Sequence, residues 1–461
     1  MNKDLLEFNE KLKNSKIAVI GAGVSNLPLF KYLSDLKCNV SLFDRNNYDD
    51  LSNDAKDLIK KYNINTYLGD NYLDNLVGYD IIFRSPSMLP TNEYLVKEED
   101  RGAIITTEIE QVIRLAPCKV IGVTGSKGKT TTTTIINELL TKLGYNTYLG
   151  GNIGIPLFTK INKMKKDDII VLELSSFQLM NMGVSPNVAV ITNISPDHLD
   201  IHSSYEEYID SKKYIYKNQS KDDSLVLNID DKIVKEFAKE GVSKVIYYGS
   251  SKIKDSYVLI DKYICYNDEK VIDTDKLVLR GKHNFINICA ALNAIKEVID
   301  VPNDKIEGIV SKINSVHHRL EFVREINGVK WYNDSASTTP DKSIAGINAF
   351  DNDIVLICGG YDKNIGYDSL AKPILDKVSK LILFGETKNK IYDAVMKLKK
   401  DINDSNLQIY VMDTLDEVID VAYQVSIPGE IVLFSPASAS FDMFKNAYQR
   451  GDIFKEKVNK L

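Results

Sequence analysis

A phosphate-binding loop is the segment of this sequence whose residue types and spacing most clearly support chemistry. Residues 119–143, KVIGVTGSKGKTTTTTIINELLTKL, have the pattern of a buried strand, a glycine-rich turn and a helix. The turn matches T-G-x-x-G-K-T at residues 124–130, although Val123 stands where the common motif has its first glycine. Backbone N–H groups in such a turn and in the first helical turn point at an anion. The pattern therefore predicts that the chain binds and consumes ATP.

Two side chains of this loop have predicted roles with the triphosphate. We expect the Lys129 ammonium to contact the β- and γ-phosphates and the Thr130 hydroxyl to bind a magnesium ion. The alternative interpretation is a helix N-terminus with threonine-rich capping and a solvated lysine. The predicted ATP contacts in this segment are Thr124, Gly125, Ser126, Lys127, Gly128, Lys129, Thr130 and Thr131.

Acidic and histidine side chains follow the next two predicted strands. Glu173 lies near the end of the apolar run DIIVLEL (168–174), and magnesium binds one or two carboxylates together with phosphate oxygens. This glutamate could instead cap a helix or form a salt bridge. His198 and His202 follow the run NVAVITNI (187–194), and their segment offers no third zinc ligand. His198 is therefore predicted to contact magnesium or substrate, with an ordinary loop histidine as the alternative.

A glycine-rich turn near the start of the chain predicts a second nucleotide site. The sequence GAGVSN (21–26) follows the first predicted strand, and Asp44 ends the next one. Asn26 replaces the third glycine of the dinucleotide motif, which argues against a nicotinamide dehydrogenase. A nucleotide-diphosphate head group is the favoured ligand, and a purely structural turn is the alternative. The predicted contacts are Gly23, Val24, Ser25, Asp44, Arg45, Ser85 and Pro86.

Composition indicates a globular protein that binds small molecules. The chain has 461 residues, enough for about three domains, and is 44% apolar and 26% charged. Its net charge of -6 provides no attractive field for nucleic acid or anionic lipid. Five cysteines are scattered without metal-like spacing, and no apolar run approaches the length of a membrane span. We therefore expect a cytoplasmic protein with neither nucleic-acid nor membrane partners.

The order of predicted elements indicates an α/β fold. Short β-branched runs alternate with helical patterns, which predicts parallel sheets with crossover helices. Three blocks can be distinguished, at residues 1–107, 108–315 and 316–461. Ligands of open parallel sheets gather at the carboxyl ends of the strands, where polar residues of each block lie.

Several motifs together resemble those of the Mur ligases. They are TGSKGKT, LELSSFQL, ITNISPDHLDIH, RGKHNFIN, HHRLEFV and FSPASASFDMFKNAYQRG. The resemblance covers the whole chain and is strongest to members that add D-glutamate. It implies three domains: a Rossmann-like N-terminal domain for a UDP-linked substrate, a central P-loop ATPase domain, and a Rossmann-like C-terminal domain for the amino acid.

The resemblance also implies roles for residues that the patterns alone do not single out. It implies that Glu173, His198 and Lys212 bind magnesium, Lys212 as a carbamate formed with carbon dioxide, and that Lys213 is the alternative carbamylation site. The adenine contacts would be Asn284 and Asn287. The remaining implied contacts are Asn152 for the muramyl substrate, Arg319 and Asp334 for ATP, and Thr338, Lys363, Ser440 and Phe441 for the amino acid.

The chain departs from the family pattern at one position that bears on the substrate. Where better-known D-glutamate enzymes have Asp-Ser-Lys-Ala-Thr, residues 334–338 read DSAST, so that Ala336 replaces a cation. Ala447 likewise replaces the usual phenylalanine after FKN. The stereochemistry of the glutamate therefore stays open at this point.

The implied reaction is ATP-dependent addition of D-glutamate to UDP-N-acetylmuramoyl-L-alanine through an acyl phosphate, with two magnesium ions and a monomeric enzyme. Catalysis would consist mainly of positioning and charge neutralisation by Lys129, Arg319 and magnesium. The alternatives are addition of another amino acid such as L-glutamate, extension of a folate, or a nucleotide-binding regulator without turnover. The nucleotide-like first block disfavours the folate alternative.

Overall fold

The chain forms two compact units. The computed structural model describes residues 2–23, 25–196, 201–313, 317–401 and 406–461. The first unit comprises Met1–Val271 and Ile286–Ile306, and the second comprises Ile272–Phe285 and Glu307–Leu461. The division into domains at 1–107, 108–315 and 316–461 stays a prediction.

A parallel sheet lies at the start of the first unit, in the order β3-β2-β1-β4-β5. Its strands are β1 (Lys16–Ile20), β2 (Asn39–Asp44), β3 (Asn65–Leu68), β4 (Ile81–Phe83) and β5 (Ile104–Thr106). The accompanying helices are α1 (Lys3–Lys13), α2 (Asn26–Asp35), α3 (Asn53–Tyr62) and α4 (Glu93–Asp100). Strands β1 and β2 are buried after their first residue, as expected where a parallel sheet is covered on both faces.

A second parallel sheet in the same unit contains the phosphate loop and has the order β11-β10-β9-β6-β8-β7. Its strands are β6 (Lys119–Thr124), β7 (Thr147–Gly151), β8 (Ile169–Glu173), β9 (Val188–Ile191), β10 (Ser224–Asn228) and β11 (Lys244–Tyr248). The helices are α5 (Glu108–Leu115), α6 (Lys129–Lys142), α7 (Ser176–Leu179) and α8 (Tyr205–Lys217). The predicted strand, turn and helix of the phosphate loop are thus present as β6, residues 125–128 and α6.

A small antiparallel sheet follows. The alternation of β-branched and helical segments in the sequence did not predict it. It comprises β12 (Tyr257–Ile260), β13 (Tyr263–Tyr266) and β14 (Glu269–Asp273), and it precedes α9 (Lys282–Lys296) and α10 (Asn303–Val310). Short 3-10 helices occur at Tyr48–Asp50, Phe158–Lys163, Val234–Lys239 and Thr274–Lys276.

The second unit contains a sheet in the order β15-β16-β20-β17-β18-β19. Its strands are β15 (Glu321–Ile326), β16 (Val329–Asn333), β17 (Ile354–Gly359), β18 (Val378–Phe384), β19 (Gln408–Val411) and β20 (Ile431–Phe434). The helices are α11 (Pro340–Ile347), α12 (Asp368–Lys377), α13 (Lys388–Asp401), α14 (Leu415–Val425) and α15 (Ala447–Val458). Among the described residues of this sheet, the edge strand β15 pairs antiparallel with β16, and all other strand pairs are parallel.

The predicted α/β fold class is confirmed, because parallel sheets with crossover helices form the body of both units. Within the described ranges, no helix is both long enough and apolar enough to cross a membrane.

Candidate active site

The phosphate loop has a backbone that requires glycine at two positions. Gly125 and Gly128 have φ angles of 143° and 84°, in the region that side chains other than glycine rarely adopt. A Cβ on Gly125 would collide with the hydroxyl of Thr192, and one on Gly128 would lie 2.7 Å from Oδ1 of Asn287. The spacing of the glycines in the motif is therefore explained by two close approaches, one to the end of β9 and one to α9.

The residues after β9 hold the first part of the loop. The backbone N–H of Ser126 donates to the Asn193 carbonyl (2.8 Å), and that of Lys127 donates to Asn193 Oδ1 (2.9 Å). Thr192 Oγ1 donates to the Lys127 carbonyl at 2.6 Å. Because these two amides donate to groups within the protein, the amides available to bind an anion are those that follow them, at the start of α6.

Lys129 lies across its own loop. Its Nζ donates to the carbonyls of Gly125 (2.8 Å) and Ser126 (3.0 Å). Thr130 follows in the first turn of α6 and is partly exposed, whereas Thr131 is buried. The ammonium and the Thr130 hydroxyl are therefore at the end of the helix to which an anion is attracted.

Glu173 and Asn152 lie together beside this loop. Asn152 Nδ2 donates to Glu173 Oε1 at 2.8 Å, and the backbone N–H of Asn152 donates to the Glu173 carbonyl at the same distance. Glu173 is only 2% exposed, and its Oε2 has no hydrogen-bond partner among the described residues. A buried carboxylate oxygen without a donor is unusual in a protein, and it suits a hard cation such as Mg²⁺.

Lys212 lies against the phosphate loop, on the buried face of α8. It is 1% exposed, and its Nζ donates to the Gly125 carbonyl at 3.0 Å. The same Nζ lies 4.6 Å from the ring centroid of Tyr208, whose hydroxyl is 2.7 Å from Ser126 Oγ. Sequence reasoning missed Tyr208, although its spacing of four residues from Lys212 places both on one helical face.

The neighbouring Lys213 is in a different environment. Its Nζ forms ion pairs with Glu240 (2.9 Å) and Asp210 (3.2 Å). Burial alone would lower the pKa of Lys213, but the two carboxylates outweigh it and raise the pKa above its ordinary value. Lys213 therefore stays a protonated partner of surface acids.

Two predicted site residues, Val24 and His198, lie outside the described residues. His202 is described and is buried behind the loop. Its Nε2 is 2.9 Å from Ser176 Oγ, and its ring stacks on Phe177 with centroids 4.9 Å apart. These contacts give His202 a role in packing α7 against the segment before α8.

The turn after β1 is shaped by Asp44, at the end of β2. One carboxylate oxygen accepts from the Ala22 N–H (2.7 Å) and the other from the Asn46 N–H (2.8 Å). Asn26, in place of the third glycine, donates from Nδ2 to the Ile20 carbonyl at 2.8 Å. Gly23 and Arg45 are exposed nearby. Asp44 thus orders this turn directly, in addition to any contact with a ligand.

A cleft of about 210 Å³ in the first unit brings three of the predicted substrate residues together. It is lined by Ser25, Pro86, Glu108, Gly151, Asn152, Ile153, Gly154, Ile155, Pro156 and Gln178. Ser25, Pro86 and Asn152 were predicted from the sequence, whereas Glu108 and Gln178 were missed. Ser85 directly precedes the lining residue Pro86 in the chain, and its Oγ is 2.6 Å from the Oγ of Ser87.

Glu108 provides a test by pH. Its carboxylate accepts from the Phe158 N–H at 2.7 Å, and burial raises its pKa from 4.5 to about 7. The stability that comes from this tightly held proton is fully present below about pH 4.5 and is lost as the pH rises through about 7. Glu108→Gln keeps an acceptor but cannot ionise. Its free energy of unfolding should therefore increase, relative to that of wild type, by about 2 kcal/mol between pH 5 and pH 8.

Chemical unfolding of both proteins at the two pH values measures this gain. The exposed Glu99→Gln serves as the control and should give the same difference from wild type at both. An equal difference for Glu108→Gln would contradict the buried, proton-holding state of Glu108.

In the second unit, the carboxylate of Asp334, a predicted ATP residue, accepts several hydrogen bonds. It follows β16 and accepts from the Leu320 N–H (3.1 Å) and the hydroxyls of Ser337 (2.6 Å) and Ser435 (2.7 Å). Burial raises its pKa to about 6, although these hydrogen bonds and the positive charge of Arg319 oppose the shift. The shared role of Arg319 and Asp334 in ATP binding stays a prediction.

The predicted amino-acid residues lie on two loops of the same unit. Thr338 is partly exposed after β16, and Ser440 is 1% exposed after β20. Lys363 is exposed, with its Nζ 5.9 Å from the ring centroid of Phe441.

A buried arginine that sequence reasoning missed joins these loops. Arg450 donates from Nη1 to the Ala439 carbonyl (2.8 Å) and from Nε to Ser335 Oγ (3.0 Å). Burial lowers its pKa to about 10, so that it stays charged at neutral pH. It therefore fixes the segments that carry Ser440 and Thr338 to each other.

The two predicted adenine residues are both on α9. Asn287 belongs to the first unit and lies beside Gly128, as described above. Asn284 belongs to the second unit, where its Nδ2 donates to the Arg280 carbonyl at 2.7 Å.

Known proteins are similar in sequence to this one over the whole chain. The family model described as "Mur ligase middle domain" matches residues 123–295, and "Mur ligase, glutamate ligase domain" matches residues 318–438. Curated proteins named UDP-N-acetylmuramoylalanine--D-glutamate ligase, from Clostridium tetani and Clostridium novyi, are 43% and 45% identical, and each alignment covers all of both chains. The chain belongs to the Mur ligase family. The predicted resemblance is confirmed.

Solved structures of other Mur ligases share the fold of this one. UDP-N-acetylmuramate-alanine ligase from Thermotoga maritima has a TM-score of 0.59 at 18% identity, and the alignment covers 97% of this chain and 99% of that one. MurF ligase from Thermotoga maritima, in complex with ADP, has a TM-score of 0.57 at 17% identity, covering 98% and 97%. As a Mur ligase, this protein is an ATP-dependent ligase, and its predicted enzyme class is confirmed.

Proposed function

We propose that this Mur ligase joins the carboxylate of UDP-N-acetylmuramoyl-L-alanine to the amine of D-glutamate, with conversion of ATP to ADP and phosphate. The observation that carries the proposal is the full-length identity of 42–45% to relatives that bear the name of this activity. The reaction belongs to the synthesis of peptidoglycan precursors. We further propose that the enzyme acts as a monomer in the cytoplasm.

The reaction has two steps, which consume one ATP. A carboxylate oxygen of the alanyl group attacks the γ-phosphorus, the bond to ADP breaks, and an acyl phosphate forms. The amine of glutamate then attacks the acyl carbon, loses a proton, and displaces phosphate, which leaves with the carboxylate oxygen. The first step brings a carboxylate against the triphosphate, so positioning and charge neutralisation by Lys129 and Arg319 are the main contributions of the protein.

Magnesium fits the residues beside the phosphate loop. Thr130 and Glu173, with its buried oxygen that lacks a donor, would hold one ion against the phosphates. His198 and a carbamylated Lys212 would hold a second. When bound, these ions would neutralise charge on the phosphates and the attacking carboxylate.

Burial and charge favour Lys212 over Lys213 as the carbamylated residue. Carbamylation needs a neutral amine, which attacks carbon dioxide and loses a proton. Lys212 is 1% exposed and bonds to a carbonyl, whereas Lys213 is held as an ammonium by two carboxylates. A carbamate would present anionic oxygens to a cation that repels an ammonium.

The incoming glutamate is proposed to bind at Thr338, Lys363, Ser440 and Phe441. Lys363 is exposed and would pair with a carboxylate, and the buried Arg450 would keep Ser440 and Thr338 in place. Because Ala336 removes a cation from this region, the choice between D- and L-glutamate is the part of the proposal that most needs a test.

The test measures phosphate release and the mass of the nucleotide product, with ATP, Mg²⁺ and UDP-N-acetylmuramoyl-L-alanine. Parallel reactions contain D-glutamate, L-glutamate or no amino acid. We expect release and a product one glutamate heavier only with D-glutamate. Equal release in all three reactions would refute the ligase proposal, and a product only with L-glutamate would transfer it to the other stereoisomer.

A further inference from the structure

We propose that Arg84 is a positioning residue that sets the width of the nucleotide-substrate cleft by joining its two walls. Arg84 follows β4 and is 4% exposed. Its Nη1 donates to the Met88 carbonyl (3.0 Å), and its Nη2 donates to the Met180 carbonyl (2.7 Å). Both nitrogens also lie within 3.5 Å of the Phe177 carbonyl. One guanidinium therefore connects residues nearly a hundred positions apart.

The two walls of the cleft are the segments that Arg84 connects. The turn at residues 85–88 carries Pro86, and the segment at 176–180 carries Gln178, and both of these residues line the cleft. The carbonyls of Phe177 and Met180 lie at the C-terminal end of α7, where helices leave carbonyls without intrahelical partners. The guanidinium supplies those partners, so the distance between the walls depends on its span.

The surroundings of Arg84 are consistent with a charged side chain that serves to position the backbone. Burial lowers the pKa of Arg84 to about 10, so the side chain carries its charge at neutral pH, away from water. The Glu110 carboxylate stabilises that charge through space, while it accepts hydrogen bonds from Arg114 Nη2 (2.8 Å) and Thr106 Oγ1 (3.1 Å). A buried charge is unfavourable unless its donors are satisfied, and here backbone carbonyls accept from both terminal nitrogens of the guanidinium.

A lysine could not reproduce this arrangement. Arginine presents donors on separate nitrogens in a rigid planar fork, whereas lysine presents them on one nitrogen. A single ammonium can reach one wall of the cleft well, or both poorly. Arg84→Lys should therefore keep the charge and lose part of the spacing, and Arg84→Met should lose both.

The inference rests on the proposed function, and its test compares Arg84→Met and Arg84→Lys with wild type and with Arg101→Met. Arg101 is the matched control, because it caps the C-terminal end of α4, is 56% exposed, and forms an ion pair only with Glu98 among the described residues. The readouts are KM for UDP-N-acetylmuramoyl-L-alanine, KM for ATP, and the calorimetric Kd of the nucleotide substrate without ATP.

We expect Arg84→Met to raise KM and Kd for the nucleotide substrate about 10-fold, Arg84→Lys to raise them about 3-fold, and Arg101→Met to leave them unchanged. KM for ATP should stay within about 2-fold in all three. Should Arg84→Met not fold, Arg84→Lys decides. An equal rise of both KM values, or no rise in a folded variant, would overturn the inference.

Failure of the proposed function has a separate signature. Wild type that binds the nucleotide substrate but forms no product would refute the ligase proposal, while the Kd series would still decide the role of Arg84. Wild type that does not bind the nucleotide substrate would overturn both.

Discussion

Lys129→Met should lower the rate of amide formation by about 10³-fold and leave the fold intact. Removal of one preorganised charge from a site where anionic charge develops has effects of this size. Methionine retains the length and the apolar stem of lysine, and the loop keeps its backbone hydrogen bonds to Asn193 and Thr192. The loss should therefore fall on kcat, measured by phosphate release at saturating substrates.

The control for this variant is a lysine on the same helix. Lys142 lies in the last turn of α6, where it pairs with Glu138 at 3.6 Å, far along the helix from the loop. Lys142→Met should keep wild-type kcat. If Lys129→Met retained more than about a tenth of the wild-type rate, the ammonium would not be the group that opposes charge on the triphosphate.

Lys212→Ala should lose about 10²-fold or more of the activity, and short carboxylates such as acetate or formate should restore part of it. The proposed carbamate supplies anionic oxygens, and a small carboxylate can enter the space that the truncated side chain leaves. Carbon dioxide should have the corresponding effect on wild type, because carbamate formation is reversible. Rigorous removal of bicarbonate from the buffer should therefore slow wild type and leave Lys212→Ala unaffected.

Lys213→Ala separates the two adjacent lysines. Lys213 pairs with Glu240 and Asp210 and is more exposed than Lys212, so its removal should leave kcat within about 2-fold of wild type. Unchanged turnover in Lys212→Ala, together with a loss in Lys213→Ala that acetate restores, would reverse the assignment.

The sequence patterns predicted the parallel part of the fold because that part depends on local signals. β-branched runs such as 16–20 and 354–359 are buried on both faces, and their composition shows it directly. β12 and β13 pair as a hairpin across residues 261–262, and β15 and β16 pair across Asn327 and Gly328, whose φ angles are 50° and 77°. A two-residue turn of Asn-Gly between strands is a local hairpin signal, so this pairing could have been predicted from the sequence and was missed.

Local signals marked part of the candidate site, and contacts between distant parts of the chain determined the rest. The phosphate loop and Glu173 are marked by motif and by position at a strand end. Arg84, Glu108 and Arg450 were missed, because a charged residue is expected at the surface and its burial depends on partners far along the chain.

The ambiguity between Lys212 and Lys213 could have been reduced from the sequence. The residues of α8 that are buried, Tyr208, Ser211, Lys212, Ile215 and Tyr216, recur at intervals of three and four. That helical period places Lys212 on the buried face of α8 and Lys213 next to that face. The same period, read from the sequence of α8, would have indicated which lysine faces the loop.

The most direct measurement of the central claim follows one oxygen atom. UDP-N-acetylmuramoyl-L-alanine labelled with oxygen-18 in both carboxylate positions is converted with ATP, Mg²⁺ and D-glutamate, and the released phosphate is analysed by mass. If the carboxylate attacks the γ-phosphate, each phosphate should carry one labelled oxygen, and the other should stay in the new amide. Amide formation with unlabelled phosphate would contradict the account, because the carboxyl group would then have been activated without phosphoryl transfer.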